Sequence, residues 1–185
     1  SENEWKELHV DTLPKLKGKL FVGIKYGHDG TNVAMSIAVK TEDDKVFVEA
    51  IDCQSIRNGN DWIIHFLRKA DVQQVVVDGA NGQKILADAM KLAGLRPPIL
   101  PTVKEVIQAN ALFEQAVYQQ TIAHRSQPSL FQVVTNCEKR PIGTQGGFGY
   151  KSQYEDYDIA LMESMILAHW ACVESKEPKK QKIIY

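Results

Sequence analysis

The segment Leu20–Val39 constrains the fold of this chain more than any other. Apolar side chains occupy every second position from Leu20 to Tyr26, the turn sequence GHDG follows, and residues 33–39 are apolar at nearly every position. This pattern is typical of a β-hairpin whose return strand is buried. The turn presents a carboxylate, Asp29, at the tip of a predicted central sheet, where a side chain can leave the core and meet a ligand.

Bulk composition indicates a soluble globular domain. With 185 residues, 44% of them hydrophobic and 24% charged, the chain has the length and composition for one well-packed core. No apolar run reaches the roughly 18 residues of a membrane span, and the polar start SENEWKEL does not resemble a signal peptide. We therefore expect a cytoplasmic protein without membrane contact. The net charge of −1 means that any binding to nucleic acid must depend on local basic clusters.

Periodicity divides the chain into an N-terminal arm (1–18), one domain (19–174) and a charged tail (175–185). After the hairpin, residues 45–53 predict a third strand. Helical spacing at 61–70 and 81–93 then flanks a predicted short strand, Val72–Val77, which ends in the apolar run Val75–Val77 typical of strands buried in parallel sheets. Ile99-Leu100 predicts one more short strand. Helices are expected at 103–119, opened by a Thr102–Glu105 capping box, at 128–137 and at 159–173.

The resulting order, βββαβαβα, predicts an α/β fold of the ribonuclease H-like type. Its mixed sheet has three antiparallel strands followed by parallel strands, and helices flank it. Sites in such sheets lie at the carboxyl ends of the middle strands. Fold order alone does not define a function.

Four aspartates are placed to form a metal site at that edge: Asp29, Asp78, Asp156 and Asp158. Magnesium prefers hard oxygen ligands and takes one or two carboxylates per ion. Two ions about 3.5–4 Å apart can hold the attacking and leaving oxygens of a phosphodiester in line. Aspartates from separate elements are therefore what a two-ion, phosphodiester-cleaving site requires, with Mg²⁺ or Mn²⁺ as the cofactor.

Each aspartate also has an ordinary structural explanation. Asp78 follows the apolar run Val75–Val77 and precedes Gly79, which favours function over helix capping. Asp29 suits a hairpin turn on local grounds alone. Asp156 and Asp158 precede a helix, where carboxylates are favoured by the helix dipole, although capping explains one of them better than two.

Further residues are candidates for supporting roles. Glu155 and Glu163 are possible fourth ligands, and for Glu163 the alternative is a solvated or paired helix residue. His28 could act as a general acid or position water. His124 could contact phosphate or satisfy a backbone carbonyl.

A basic, glycine-rich segment spans residues 139–151. Exposed amides, cations and the aromatic rings of Phe148 and Tyr150 could together wrap a phosphate backbone; the alternative is a mobile surface loop. No GxxxxGK[ST] phosphate-binding motif occurs there or elsewhere. The candidate DNA-binding residues are Lys139, Arg140, Gly146, Gly147 and Lys151.

Several stretches taken together resemble the nuclease domain of bacteriophage terminase large subunits, the motors that package phage DNA. They are GIKYGHDGTNVAMSIAV, QQVVVDG, TVKEVIQANALFEQAV, AHRSQPSL, KRPIGTQGGFGY and DIALMESMILAHWA. The resemblance implies a ribonuclease H-like fold and metal-dependent cleavage of double-stranded DNA in the bacterial host cytoplasm. Asp78 matches the family's strand-end aspartate, and Asp158, with Asp156 as the alternative, matches the aspartate that opens the last helix. The implied partners are the terminase ATPase domain, the small terminase subunit and the portal protein.

One position departs from the family pattern. Many terminases carry an aspartate on the first strand in a G-[VI]-D motif, whereas this chain has Lys25 after Gly23-Ile24. Asp29 could supply the missing ligand, which is the alternative we favour from sequence. Lys25 could instead pair with Asp78 and leave one metal site, or the nuclease could be weak or lost, leaving a module that binds DNA or the portal.

Overall fold

A computed structural model describes residues 2–125, 127, 137–142, 147–152 and 159–175. Along the chain the elements are α1 (Glu2–Glu7), β1 (Leu16–Tyr26), β2 (Asn32–Thr41), β3 (Val46–Ser55), α2 (Asp61–Lys69), β4 (Val72–Asp78), α3 (Gln83–Leu92), α4 (Val103–Tyr118), β5 (Ile122–His124), β6 (Cys137–Ile142), β7 (Gly147–Ser152) and α5 (Ala160–Glu174).

Five strands form the central sheet, in the order β4-β1-β2-β3-β5. Strands β1, β2 and β3 are consecutive antiparallel neighbours. Strand β4 pairs parallel to β1 at one edge, and β5 pairs parallel to β3 at the other. The predicted mixed sheet, with antiparallel strands followed by parallel ones, is confirmed.

Alternation along β1 and β4 separates the core into two layers. Val22, Ile24 and Val77 belong to a cluster that includes buried side chains of α2 and α3. Phe21 and Val76 belong to the cluster formed with α4, α5 and Trp5 of α1. Because successive residues of a strand point to opposite faces, Gly23, Lys25 and Asp78 lie on the face that α5 covers.

Helix α5 is apolar nearly all round and is buried along most of its length, as expected for a helix enclosed by the core. Gly23 lets it approach the sheet, since a Cβ there would lie 2.5 Å from the backbone nitrogen of Ala168 and against the carbonyl oxygen of Ser164. Burial lowers the pKa of His169, within this helix, to about 4, so its ring is neutral at pH 7. The close contact between α5 and β1 at Gly23 fixes the position of the first turn of α5, which carries Glu163, relative to β1.

Local signals for helix ends are also confirmed. The Thr102 hydroxyl accepts from the Glu105 backbone N–H at 3.2 Å, and the Glu105 carboxylate accepts from the Thr102 N–H at 3.1 Å. This is the reciprocal capping box predicted from the sequence. None of the helices in the described ranges is long and apolar enough to cross a membrane.

Four elements differ from the expectations. Ile99 makes only an isolated bridge to Val76 instead of a strand, because Pro97, Pro98 and Pro101 remove backbone donors around it. Strand β5 is only three residues long, too short for a periodic pattern. Part of the N-terminal arm forms α1, and the basic segment contains the β6–β7 hairpin. Nearly all of the helix predicted at 128–137 lies outside the described residues.

Candidate active site

Lys25 and Asp78 are partners across the parallel pair of β1 and β4. The register aligns the two residues, and alternation directs both side chains to the same face of the sheet. The Lys25 Nζ donates to Asp78 Oδ2 at 2.6 Å. Asp78 is the last residue of β4 and directly follows the buried residues Val75–Val77, so the expectation that it ends this strand is confirmed, although the first half of β4 is not fully buried.

Gly79 holds the chain close to β1 immediately after Asp78. Its φ of +111° lies in the region that favours glycine. A Cβ at this position would lie 2.5 Å from the carbonyl oxygen of Tyr26. The exit from β4 therefore passes tightly against the end of β1, which fixes the Asp78 carboxylate beside Lys25.

Glu163, in the first turn of α5, adds a second carboxylate. Its Oε2 lies 3.6 Å from Lys25 Nζ and 3.3 Å from His28 Nε2. The other oxygen, Oε1, is buried and has no hydrogen-bond partner in the part of the chain that the structure describes. The sequence offers Glu163 as a metal ligand or as a solvated or paired helix residue; at 14% exposure and beside Lys25 and His28 it is paired and not solvated, and its role as a ligand stays a prediction.

The Lys25 ammonium is nearly enclosed, with 6% of the side chain exposed. At an effective dielectric constant of about 20, unit charges about 4 Å apart attract by about 4 kcal/mol. Desolvation of both charges offsets much of that attraction, so such a pair is weak evidence for added stability. The net electrostatic contribution of this cluster to stability is therefore small compared with the direct attraction.

The Asp29 carboxylate closes its own turn. Its Oδ1 accepts from the Thr31 N–H at 3.0 Å and from the Thr31 hydroxyl at 2.9 Å. These two hydrogen bonds hold the pKa of Asp29 below its ordinary value. The turn lies at the same edge as Asp78, because the Asn81 amide donates to the Gly27 carbonyl at 3.4 Å. The metal-binding role of Asp29 stays a prediction.

Asp156, Asp158 and Glu155 lie outside the described residues. Asp158 immediately precedes Ile159, where the description of the chain resumes just before α5. Their roles as ligands also stay predictions. Glu163, five residues after Asp158 in the sequence, is the acidic residue that the structure does place at the site.

His124 is part of the protein core. Its ring stacks on Trp5 with centroids 4.0 Å apart, and its Nε2 lies 2.7 Å from the Trp5 carbonyl oxygen. Burial lowers its pKa below the ordinary value. Of the two interpretations drawn from the sequence, the structure supports the contact with a backbone carbonyl. His28, by contrast, reaches Glu163 and remains a candidate site residue.

Most of the basic segment lies on the β6–β7 hairpin. Its register aligns Lys139 with Tyr150 and Glu138 with Lys151. The hairpin approaches α4 at Gly147, where a Cβ would lie 2.8 Å from Ile107 Cγ1. Arg140 lies on β6, and Gly146 is outside the described ranges. The alternative of a surface loop is wrong for the two strands, although the DNA-binding role stays a prediction.

The donor atoms of this edge fit a divalent ion, although incompletely. Asp78 and Glu163 offer the hard oxygens that Mg²⁺ and Mn²⁺ prefer, and one or two carboxylates per Mg²⁺ is usual. The unpartnered Glu163 Oε1 is the kind of atom that a cation would satisfy. Within the described ranges, however, no three His, Cys, Asp or Glu side chains are arranged to hold a metal, and Lys25 already engages Asp78 Oδ2.

Solved structures similar to this chain include a large terminase and the nuclease domains of others. The HK97 bacteriophage large terminase gives a TM-score of 0.73 at 14% identity, over 92% of this chain and 43% of that one. The nuclease of thermophilic phage G20c gives 0.62 at 13% identity, over 85% and 91%. The SPP1 nuclease domain with bound Mn gives 0.52 at 14% identity, over 82% and 85%.

These likenesses show that the chain has the ribonuclease H-like fold of terminase nuclease domains, so the resemblance drawn from the motifs is confirmed for the fold. The chain spans less than half the length of the HK97 large terminase. No family model matches the chain, and no curated protein matches it.

Proposed function

We propose that this chain is a divalent-metal-dependent endonuclease that cuts double-stranded DNA during packaging of a bacteriophage genome. The observation that carries the proposal is the convergence of Asp78 and Glu163 on Lys25 at the carboxyl ends of β1 and β4. This cluster occupies the edge of the sheet where α/β folds place their sites. The fold around it is that of terminase nucleases, one of which has been solved with bound magnesium and another with bound Mn.

Asp78 and Glu163 would hold the ion, with Asp158, Asp156 and Asp29 as the further ligands proposed from sequence. When bound, a divalent ion supplies positive charge to the phosphodiester oxygens and lowers the pKa of water. The sequence alone predicts two ions, an arrangement that the proposed ligand set could hold. In either arrangement the role of the chain is to position the carboxylates before DNA arrives.

Hydrolysis requires one proton to leave the attacking water and one to reach the leaving oxygen. The water oxygen forms a new bond to phosphorus while one ester P–O bond breaks, giving a phosphate end and a hydroxyl end. His28, with 57% of its side chain exposed and its Nε2 close to Glu163, is placed to exchange a proton with solvent. Geometry within hydrogen-bond reach is the first requirement of a general acid or base.

DNA contacts are proposed for the β6–β7 hairpin, through Lys139, Arg140 and Lys151 with the glycines Gly146 and Gly147. Cations that neutralise phosphates release counterions, so binding that depends on them weakens as salt rises. Because the chain spans only part of the HK97 terminase, an ATPase domain, a small terminase subunit and a portal protein are the partners we propose. The bacterial host cytoplasm is the proposed location.

Supercoiled plasmid incubated with this chain and Mn²⁺ or Mg²⁺ is expected to be nicked or linearised. Excess EDTA should stop the reaction, and added Mn²⁺ should restore it, because the carboxylates act through the ion. Agarose gels give the fraction of each plasmid form over time. Equal conversion with and without EDTA would contradict the proposal.

A second candidate is a DNA- or portal-binding module without catalysis, favoured by the ion pair between Lys25 and Asp78. It predicts a gel shift of DNA, weakened by salt, but no cutting with any divalent metal. The variant Lys25→Asp is then expected to gain cleavage. Cutting by the wild-type chain would eliminate this candidate.

A further inference from the structure

Lys25 is a cation built into the site rather than a surface lysine that happens to reach it. It lies on β1, a strand with hydrogen-bonded neighbours on both sides. Its ammonium lies 2.6 Å from Asp78 Oδ2 and 3.6 Å from Glu163 Oε2, and its side chain is 6% exposed. Such enclosure leaves the ammonium little freedom to move away from the two carboxylates.

The charges of Asp78, Glu163 and Lys25 favour the binding of one divalent ion over the binding of two. Asp78 and Glu163 together contribute two negative charges when ionised, and the Lys25 ammonium offsets one of them. A divalent ion placed beside the ammonium would meet like-charge repulsion in a partly buried site, where screening by water and salt is weak. The ammonium thus competes with metal for the same oxygens.

The two oxygens of the Glu163 carboxylate have different surroundings. This oxygen is buried without a hydrogen-bond partner in the described part of the chain, while Oε2 of the same carboxylate is near both Lys25 and His28. A buried carboxylate oxygen is normally paired or bound to metal. The Glu163 carboxylate therefore has one oxygen, Oε2, near the Lys25 ammonium and another, Oε1, that is available to a metal ion.

We propose that the Lys25 ammonium takes the place of one divalent ion, so that the site binds a single Mg²⁺ or Mn²⁺ per chain. This inference rests on the proposed function and revises its ion count. Lys25 acts as a positioning residue: it supplies fixed positive charge between Asp78 and Glu163, and the exchangeable ion supplies the rest. The two-ion arrangement predicted from the aspartates is the competing outcome.

Isothermal titration with MnCl₂ alone, without DNA, counts the ions. The wild-type chain is expected to bind one Mn²⁺ that is lost in Asp78→Asn. Lys25→Gln should bind Mn²⁺ at least tenfold more tightly, because the competing ammonium is gone, and Lys25→Asp should bind two ions. Lys19→Gln is the matched control, because Lys19 lies on β1 like Lys25 but toward the opposite end of the strand, where it pairs with Asp71 at 3.4 Å. The Mn²⁺ titration of this variant should match that of the wild type.

Two ions in the wild type, no Asp78-dependent ion, or unchanged affinity in a folded Lys25→Gln would each overturn the inference. Circular dichroism shows whether the Lys25 variants fold. If they do not, the wild-type count and its dependence on Asp78 decide the question. If the chain cuts plasmid and binds two ions, the proposed function is retained and the one-ion inference is rejected. If it binds one ion and does not cut, the one-ion inference is retained and the proposed function is rejected.

Discussion

Replacing Asp78 by asparagine is expected to lower the rate of plasmid nicking in Mn²⁺ by about a hundredfold or more. Loss of one preorganised group that stabilises charge in the transition state, such as an oxyanion-hole donor, costs about 10²–10³ in rate. Asparagine keeps the size of the side chain but removes the charge that faces Lys25 and the proposed ion. The initial rate of supercoiled plasmid loss, measured at equal protein concentration, gives the ratio.

The chain offers a matched control for this variant at the opposite end of the same strand pair. Asp71, just before β4, pairs with Lys19 of β1 at 3.4 Å, but its side chain is 77% exposed. Exposed pairs of this kind contribute about 0–1 kcal/mol. Asp71→Asn should therefore nick plasmid at the wild-type rate. If the two variants had equal rates, Asp78 would not belong to the active site.

Replacing Gly23 by alanine is expected to lower the free energy of unfolding by about 3 kcal/mol or more, at the upper end of overpacking effects. The added Cβ would meet backbone atoms of Ser164 and Ala168 in α5, and backbone cannot rotate away as a flexible side chain can. For a chain of this size, the loss corresponds to a fall in Tm of about 6–12 °C. Urea unfolding followed by circular dichroism measures it.

Gly94→Ala separates this packing effect from the conformational cost of losing glycine. No atom lies within 4 Å of a Cβ built at Gly94, whose φ is +76°. The expected cost there is only the left-handed strain of about 1–2 kcal/mol. A Gly23→Ala variant as stable as the wild type would show that α5 does not press on β1, and the position of Glu163 would then be in doubt.

The main parts of the fold follow from local patterns. Alternation in Leu20–Tyr26 and the apolar run Val75–Val77 predict β1 and β4, and the register of these strands brings Lys25 and Asp78 together. The capping box at Thr102 is a local signal and is confirmed. Strand β5 is set by long-range pairing with β3, which three residues cannot encode in a pattern.

The candidate site was less predictable than the fold. The sequence favours Asp29 as the substitute ligand, whereas the structure gives its Oδ1 to Thr31. The Lys25–Asp78 pair, offered from sequence as an alternative, is present, and Glu163, offered only as a possible fourth ligand, lies beside Lys25. A signal for Glu163 was present: it is a carboxylate near the start of a helix that is otherwise apolar for almost its whole length. Such a charge must find a partner when buried. Which partner it finds depends on how closely α5 approaches β1 at Gly23, a tertiary contact.

The most direct test of a metal-dependent site at Asp78 is anomalous X-ray diffraction from crystals of this chain soaked in MnCl₂. The structure predicts an anomalous peak within about 2.5 Å, a carboxylate–metal bonding distance, of oxygens from both Asp78 and Glu163. Soaked crystals of Asp78→Asn should lose the peak. Well-diffracting wild-type crystals with no manganese at these two carboxylates would contradict the account.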